Sequence, residues 1–291
     1  MKILLTGASG GLGSALLSRL LEVPDLKVRA LIHKTPVNDT RVETAHGDME
    51  DEASLREATQ GIDTVVHLAA LTHSPNRSAY FKINEYGTER LIEACRASGV
   101  RRFIYISSRA VNPNGGAYSE SKSKAEALTM RSGLRWLILR PGEVFGEGDD
   151  PVRKLALWVK RSCCVPVIRR PSPRLSPVYI DDVVDAMFEA VLRDDVENLC
   201  LTLAGREAMD WESLVDRLSA FFGKRPVKVP VTKTMLRFAA SLFTLAGRPG
   251  LVPDQIPRLF SEKEEDVALA QEHLNYKPRS LEEGLRILFP A

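Results

Sequence analysis

The sequence predicts a doubly wound, mostly parallel α/β sheet followed by a smaller, mostly helical C-terminal lobe, on three observations. Short β-branched runs alternate with helical patterns through the first half, as they do where parallel strands are covered by helices on both faces. Three glycines in TGASGGLG (6–13) stand where the first such run hands over to a helix. Pro166, Pro171, Pro173 and Pro177 then interrupt the alternation, and helix-like stretches follow.

Strands are expected at KILLT (2–6), VRALI (28–32), a weaker run around Val42, Glu43 and Thr44, TVVHLA (64–69), RFIYIS (102–107) and LRWLILR (134–140). Each is a short apolar run of the kind that buried strands use. Between them Leu12, Ala15, Leu16 and Leu20, and later Leu91, Ala94 and Cys95, repeat at the spacing of one helix face. Beyond the prolines, Asp181 to Leu192, Trp211 to Phe222, Thr234 to Leu245 and Leu281 to Leu288 read as helices. The division this implies puts residues 1–148 with about 176–192 in the sheet domain, and 149–175 with 193–291 in the smaller lobe. There is no internal repeat and no low-complexity segment.

With 291 residues the chain can bury a full core. Its formal charge is only +2 and its Lys and Arg are scattered, so neither nucleic acid nor an acidic membrane is expected as a partner. The stretch MKILLTGASG is too weakly apolar for a signal peptide, and no apolar run approaches the ~20 residues of a membrane span. A cytoplasmic location is the expectation. Cys95, Cys163, Cys164 and Cys200 lack CxxC spacing and read as reduced thiols. His33, His46, His67, His73 and His273 show no metal-ligand spacing, so no metal is expected. His67 is expected at a strand end, and His73 in a loop.

In a strand-to-helix turn, Gly7 permits the bend, Gly10 lets the backbone approach a pyrophosphate, and Gly13 allows helix and strand to pack closely. The spacing is GxxGxxG. Downstream, Ser107 and Ser108 end the run RFIYIS, and Tyr118 and Lys122 follow in YSESK, one helical turn apart. Further segments come in order: GDMED (47–51), HLAA (67–70), NEYGT (84–88), LRPGEVFGEGD (139–149), VYIDDVVDA (178–186) and YKPRSLEEGL (276–285). On this ordered set the chain resembles the extended short-chain dehydrogenase/reductase family, also called the NAD(P)-dependent epimerase/dehydratase family, from Thr6 to Leu285.

The resemblance implies a dinucleotide-binding Rossmann domain, a substrate-binding lobe, and Ser108, Tyr118 and Lys122 as catalytic residues. A phenol titrating near ~10 is a poor acid-base group at neutral pH, but a neighbouring ammonium stabilises its phenolate. Lys122 would supply that ammonium, Ser108 would hold the carbonyl, and Tyr118 would move the proton. Ser108 is preferred to Ser107 because family members place the hydroxyl three residues before a Val, here Val111. For the cofactor, the resemblance implies contacts from Gly7, Ser9, Gly10, Gly11, Leu12 and Gly13 in the turn, from Asp48 and Met49 in GDMED, and from Leu68, Ala69 and Ala70 in HLAA. Pro141 and Val144 in LRPGEVF, and Tyr118 and Lys122 themselves, complete that set. Asn84 is expected to tie a helix to the sheet, with cofactor contact open. His33 and Lys34 stand where an acid would select NAD(H), and residues 26–38 hold no acid, which favours NADP(H) over NAD(H).

In two features the chain departs from the sugar-nucleotide branch of the family, with a UDP- or dTDP-sugar substrate still open, and one further stretch stands out. Ser108 and Tyr118 are ten residues apart, a short segment for such enzymes. Where they place an arginine four residues before the aromatic of the VYIDD-type segment, Leu175 stands, with Arg174 one position off and Arg169 and Arg170 as further phosphate ligands. KTMLRFAASLFTLAG (233–247) is apolar on more than one face, and reads as a packed helix, a lid over an apolar substrate, or a peripheral membrane contact. The expected function is hydride transfer between a nicotinamide cofactor and a secondary alcohol or ketone, a small-molecule substrate. A sugar-nucleotide 4-epimerase or 4-keto-reductase stays open, as does a non-catalytic NADPH-binding structural or sensor protein, and a homodimer is neither required nor excluded.

Overall fold

The apolar runs of the first half become strands, beginning with β1 (Lys2–Thr6), α1 (Gly11–Leu20), β2 (Lys27–Ile32), β3 (Glu43–His46), α2 (Glu52–Thr59) and β4 (Thr64–His67). A helical stretch in three parts follows: α3 (Arg77–Tyr80), a π-helical turn (Phe81–Glu85) and α4 (Tyr86–Ala97). Then come β5 (Arg102–Ile106), α5 (Gly116–Met130) and β6 (Arg135–Pro141). The second half opens with β7 (Glu143–Phe145), α6 (Pro151–Arg161), β8 (Cys164–Ile168), β9 (Arg174–Leu175), β10 (Pro177–Tyr179) and α7 (Ile180–Leu192). It continues through β11 (Leu199–Leu203), β12 (Met209–Asp210), α8 (Trp211–Phe221), β13 (Val227–Val231), α9 (Lys233–Leu245), α10 (Gln255–Phe260), α11 (Ala268–Leu274) and α12 (Leu281–Leu288). The structure is a computed structural model and describes residues 1–148, 150–168, 172–245 and 253–290.

Seven strands form one parallel sheet in the order β11-β6-β5-β4-β1-β2-β3. Side chains alternate between its faces, so Ile3 and Leu5 enter one core and Leu4 the other. Leu16 and Leu20 of α1, Met187 of α7 and Leu274 of α11 fill the first. Leu55 of α2, Leu91 and Cys95 of α4 and Ala125 of α5 fill the second. Each fully buried aliphatic side chain contributes roughly 1.5–3 kcal/mol, so two covered faces hold the sheet as a rigid platform. Chain order reverses between β1 and β4, and the crevice beyond the C-terminal ends of strands at such a point is where open α/β sheets take ligands.

One expectation about the second half changes. Strand β11 lies at the edge of the main sheet, pairing Leu199–Leu203 with Leu137–Pro141, so residues 199–203 belong to the sheet domain rather than the lobe. Helix α11 also packs there, through Ala270 and Leu274. The lobe is mostly helical, as expected: α6, α8 and α12 surround a third core of Leu155, Val159, Leu214, Leu218 and Leu285, beside the short pairs β8/β13 and β9/β12. Helix α9 forms, yet Met235, Phe238 and Leu242 on it are exposed. Among the described residues, no helix is long and apolar enough to cross a membrane.

Candidate active site

The glycine turn sits at the C-terminal end of β1, with Gly7 at φ 72°. A side chain at Gly7 would meet the backbone of Leu68 and Ala69 at about 2.8 Å, and one at Gly13 would meet the Gly7 carbonyl at 2.1 Å. Those two glycines therefore serve the fold itself. Gly10 has only the Gly7 carbonyl at 3.3 Å, and Gly11 has nothing within 4 Å, so their missing side chains leave open space at the start of α1. A helix N-terminus with bare backbone N–H groups favours an anion.

That space opens into a cavity of about 430 Å³, bounded by the turn, by Leu68 and Ala70 after β4, by Ile106, Ser107 and Ser108 after β5, by Tyr118 and Lys122 of α5, and by Pro141 and Val144. A dinucleotide fits these residues on an observation independent of the glycines. Among the described residues the buried Ser107 hydroxyl has no hydrogen-bond partner, and it borders the cavity, where a ribose hydroxyl would satisfy it. Ser107 is thus a polar residue of the site that sequence reasoning set aside in favour of Ser108.

The remaining positions expected around a cofactor do not line this cavity. Ala69 does not border the cavity; its N–H donates to Thr6 Oγ1 (3.1 Å) beneath the turn. Ser9 is exposed at the tip of the turn. Met49 is buried and packs against α4 at Gly87. Asn84 is buried with its amide committed: Leu71 N–H donates to its Oδ1 (2.8 Å), and its Nδ2 donates to the Leu71 carbonyl (3.0 Å) and to Ser121 Oγ (3.1 Å). It ties the loop after β4 to α5, and both N–H groups of its amide are taken. The π-helical turn that carries it widens the helix there. His33 and Lys34 are exposed at the end of β2, and the His33 imidazole lies 3.1 Å from the Asp48 carboxylate.

Lys122 is buried and donates to the Ile106 carbonyl (2.7 Å), with its ammonium 4.2 Å from the Tyr105 ring. Burial pushes its pKa down to about 7, opposed in part by the Glu126 carboxylate. Tyr118 is nearly buried, edge-on to Tyr80 at 6.1 Å. Ser108 is half-buried, and its hydroxyl accepts from the Ala110 N–H (3.1 Å). His67 ends β4, as expected, but its ring does not border the cavity: it is buried between Thr6 Oγ1 (2.7 Å) and Thr88 Oγ1 (3.0 Å), and burial pushes its pKa down to about 3, with Lys122 adding to the effect. His73 lies in the exposed loop after β4, beside Thr72.

A second cavity, also about 430 Å³, adjoins the first. The two share the wall formed by Thr72, Ser108, Tyr118, Gly142 and Val144. Beyond it the lining is largely apolar, with Val152, Leu155, Leu175, Trp211, Leu214 and Leu259. Leu175 faces this space, while Arg174, one residue earlier, is exposed and bound to Glu265 (2.8 Å), so strand alternation turns the arginine away. Arg169 and Arg170 lie outside the described residues.

Sequence reasoning missed the segment that closes this cavity. Asp254, at the start of α10, accepts from the Ala117 N–H (2.6 Å) and the Tyr118 N–H (3.2 Å), capping α5, whose own N-cap Gly115 has no side chain to do so. One helical turn on, the Arg258 guanidinium lies 4.5 Å from the centre of the Tyr118 ring. Lys263 then donates to Glu143 Oε1 (2.8 Å), while Arg109 donates to Glu143 Oε2 (2.6 Å). Burial disfavours the Glu143 carboxylate, but Lys263 and Arg109 outweigh it and hold its pKa below the usual carboxylate range. Nothing in VPDQIPRLF announces these contacts, because they join residues more than a hundred positions apart.

Among the described residues, no group of three or more His, Cys, Asp or Glu side chains is arranged to hold a metal ion.

The pattern of the NAD dependent epimerase/dehydratase family matches residues 3–199. The chain is 29% identical to a ceramide reductase of Caulobacter vibrioides, over 77% of this chain and 71% of that protein. It is 28% identical to a 2-alkyl-3-oxoalkanoate reductase of Stenotrophomonas maltophilia, over 99% of this chain and 98% of that one. A solved UDP-glucuronic acid 4-epimerase of Bacillus cereus, in complex with UDP-glucuronic acid and NAD, superposes with a TM-score of 0.77 over 99% of this chain and 98% of the other, at 22% identity. That last likeness is one of fold.

Proposed function

The chain belongs to the NAD dependent epimerase/dehydratase family, whose members are enzymes that bind a nicotinamide cofactor, and on that premise we propose an NAD(P)-dependent oxidoreductase acting on a ketone or secondary alcohol. The observation that carries the proposal is the shared wall: Ser108 and Tyr118 border both the glycine-rich cavity and the apolar one, with Lys122 behind them. When bound, the cofactor supplies or accepts the hydride. The residues of the chain do the rest. Ser108 donates a hydrogen bond to the substrate oxygen, Tyr118 moves the proton to or from that oxygen, and the ammonium of Lys122 favours the phenolate.

The apolar lining supports a substrate with a hydrocarbon body. A sugar nucleotide would set many of its hydroxyls against the aliphatic side chains of Leu155, Leu175 and Leu214, so a 4-epimerase or 4-keto-reductase of sugar nucleotides is the weaker reading. The exposed apolar face of α9 is compatible with peripheral contact with a lipid surface, from which such a substrate could enter. NADP(H) is the proposed coenzyme. Lys34 makes no ion pair among the described residues and is available to a 2′-phosphate, whereas the His33 imidazole lies 3.1 Å from the Asp48 carboxylate.

Tyr118→Phe removes the phenolic oxygen and keeps the ring. It should leave NADPH titration unchanged and cut NADPH oxidation by at least ~10²-fold across a panel of ketones, measured by absorbance. A variant that turns over at the wild-type rate would refute the mechanism. Tight NADPH binding by the wild-type chain with no turnover of any ketone would favour a non-catalytic role.

A further inference from the structure

We propose that the substrate carries a carboxylate within a few bonds of the reacting carbonyl, and that Arg258 binds it while the hydrocarbon chain fills the apolar cavity. This rests on the hydride-transfer reading above and specifies its substrate class. Arg258 borders the cavity together with Ser108 and Tyr118, and its guanidinium lies 4.5 Å from the centre of the Tyr118 ring. Among the described residues, no carboxylate lies within ion-pair distance of it. The other cation of the cavity, Lys263, is already bound to Glu143 at 2.8 Å. An arginine facing a largely apolar space without an acid of its own has a planar fork of donors free for an anion, and a carboxylate matches that fork.

Position narrows the chemistry further. An anion bound at Arg258 is held beside the ring whose hydroxyl would protonate the carbonyl oxygen, so the carboxylate and the carbonyl must lie close together on one molecule. The rest of that molecule meets a largely apolar lining, in Val152, Leu155, Leu175, Trp211, Leu214 and Leu259, where Glu143 and Lys263 are already paired with each other. The segment bearing Arg258 is pinned at both ends, by Asp254 on the first turn of α5 and by Lys263 on Glu143. Its guanidinium is therefore preorganised, and binding need not order it.

Trp211 in the cavity wall reports occupancy by its fluorescence, and Trp211→Phe identifies its share of the signal. The NADPH-bound protein would be titrated with decanoate, 1-decanol and UDP-glucose. Decanoate should bind ~10-fold or more tightly than the alcohol, as a charge-assisted bidentate pair predicts. Arg258→Gln should abolish that difference and Arg258→Lys keep part of it. Equal affinity for decanoate and decanol in the wild-type protein would overturn the proposal even if the variants fail to fold, as would binding of UDP-glucose in preference to both. In a second arm, 3-oxodecanoate should be reduced faster than 2-undecanone, and the reverse order would overturn the carboxylate assignment. If decanoate binds selectively while neither ketone consumes NADPH, the carboxylate subsite is supported and the hydride-transfer reading fails.

Discussion

Lys122 is enclosed by protein, and its ammonium has one carbonyl and one aromatic face for partners. Burial leaves it titrating at about 7, whereas an unfolded lysine holds its proton to about pH 10.4. Between those values the unfolded chain binds a proton that the folded chain lacks, so stability rises with pH across that window and is flat below it. Lys122→Met removes the penalty. It should raise the melting temperature of the cofactor-free protein at about pH 7, and the gain should shrink as the pH approaches about 10. A gain that is independent of pH would show that the lysine does not titrate this way. The trio of Ser108, Tyr118 and Lys122 was legible in the sequence because its spacing is local: one strand end and one helical turn carry all three. For His67 only the strand-end position was legible, and the burial of its ring was not. Its partners Thr6 and Thr88 come from a neighbouring strand and a helix, and only their convergence turns a strand-end histidine into a core residue.

At the scale of elements, the first turn of α5 depends on a residue from the far end of the chain. Asp254 caps two N–H groups that Gly115 leaves bare, and its negative charge faces the positive end of the helix. Asp254→Ala should lower stability by ~1–2 kcal/mol, read as a shift of the urea midpoint, and should also slow turnover, since Tyr118 sits on that turn. Asp254→Asn, which keeps an acceptor, should lose less. An unchanged midpoint for the alanine variant would mean that water replaces the cap at no cost. The long strands and helices of the first half were legible because their periodicity is strong. The strands β7, β9, β10 and β12 have two or three residues each, too few for any alternation to register. Residues 199–203 were placed in the lobe because nothing within LCLTL says that it pairs with residues 137–141.

Across the whole molecule, the buried cluster of Glu143, Arg109 and Lys263 connects the ends of the sheet to the segment that roofs the apolar cavity. Removing the one anion leaves two buried cations unpaired, so Glu143→Gln should destabilise the protein by on the order of 3 kcal/mol. The folded pKa of Glu143 lies below its ordinary value, so its contribution is complete above the unfolded value of about 4.3 and fades as the pH falls through the folded one. Thermal melts from about pH 7 down to about pH 3 should show the wild-type advantage over Glu143→Gln narrowing at the acid end. A constant difference would place the effect in packing rather than charge.

The wall common to the two cavities bears on handedness. Thr72, Ser108, Tyr118, Gly142 and Val144 separate the glycine-rich space from the apolar one. A flat carbonyl held there by two hydroxyls from fixed backbone positions has one face towards the nucleotide side and the other towards the lobe. Exchanging the faces would require the hydrocarbon and the head of the substrate to trade places, setting the chain against Arg258 and a charge against Leu155 and Leu214. On the proposed chemistry, the alcohol formed is a single enantiomer, chosen by where the cation and the hydrocarbon stand on either side of Tyr118.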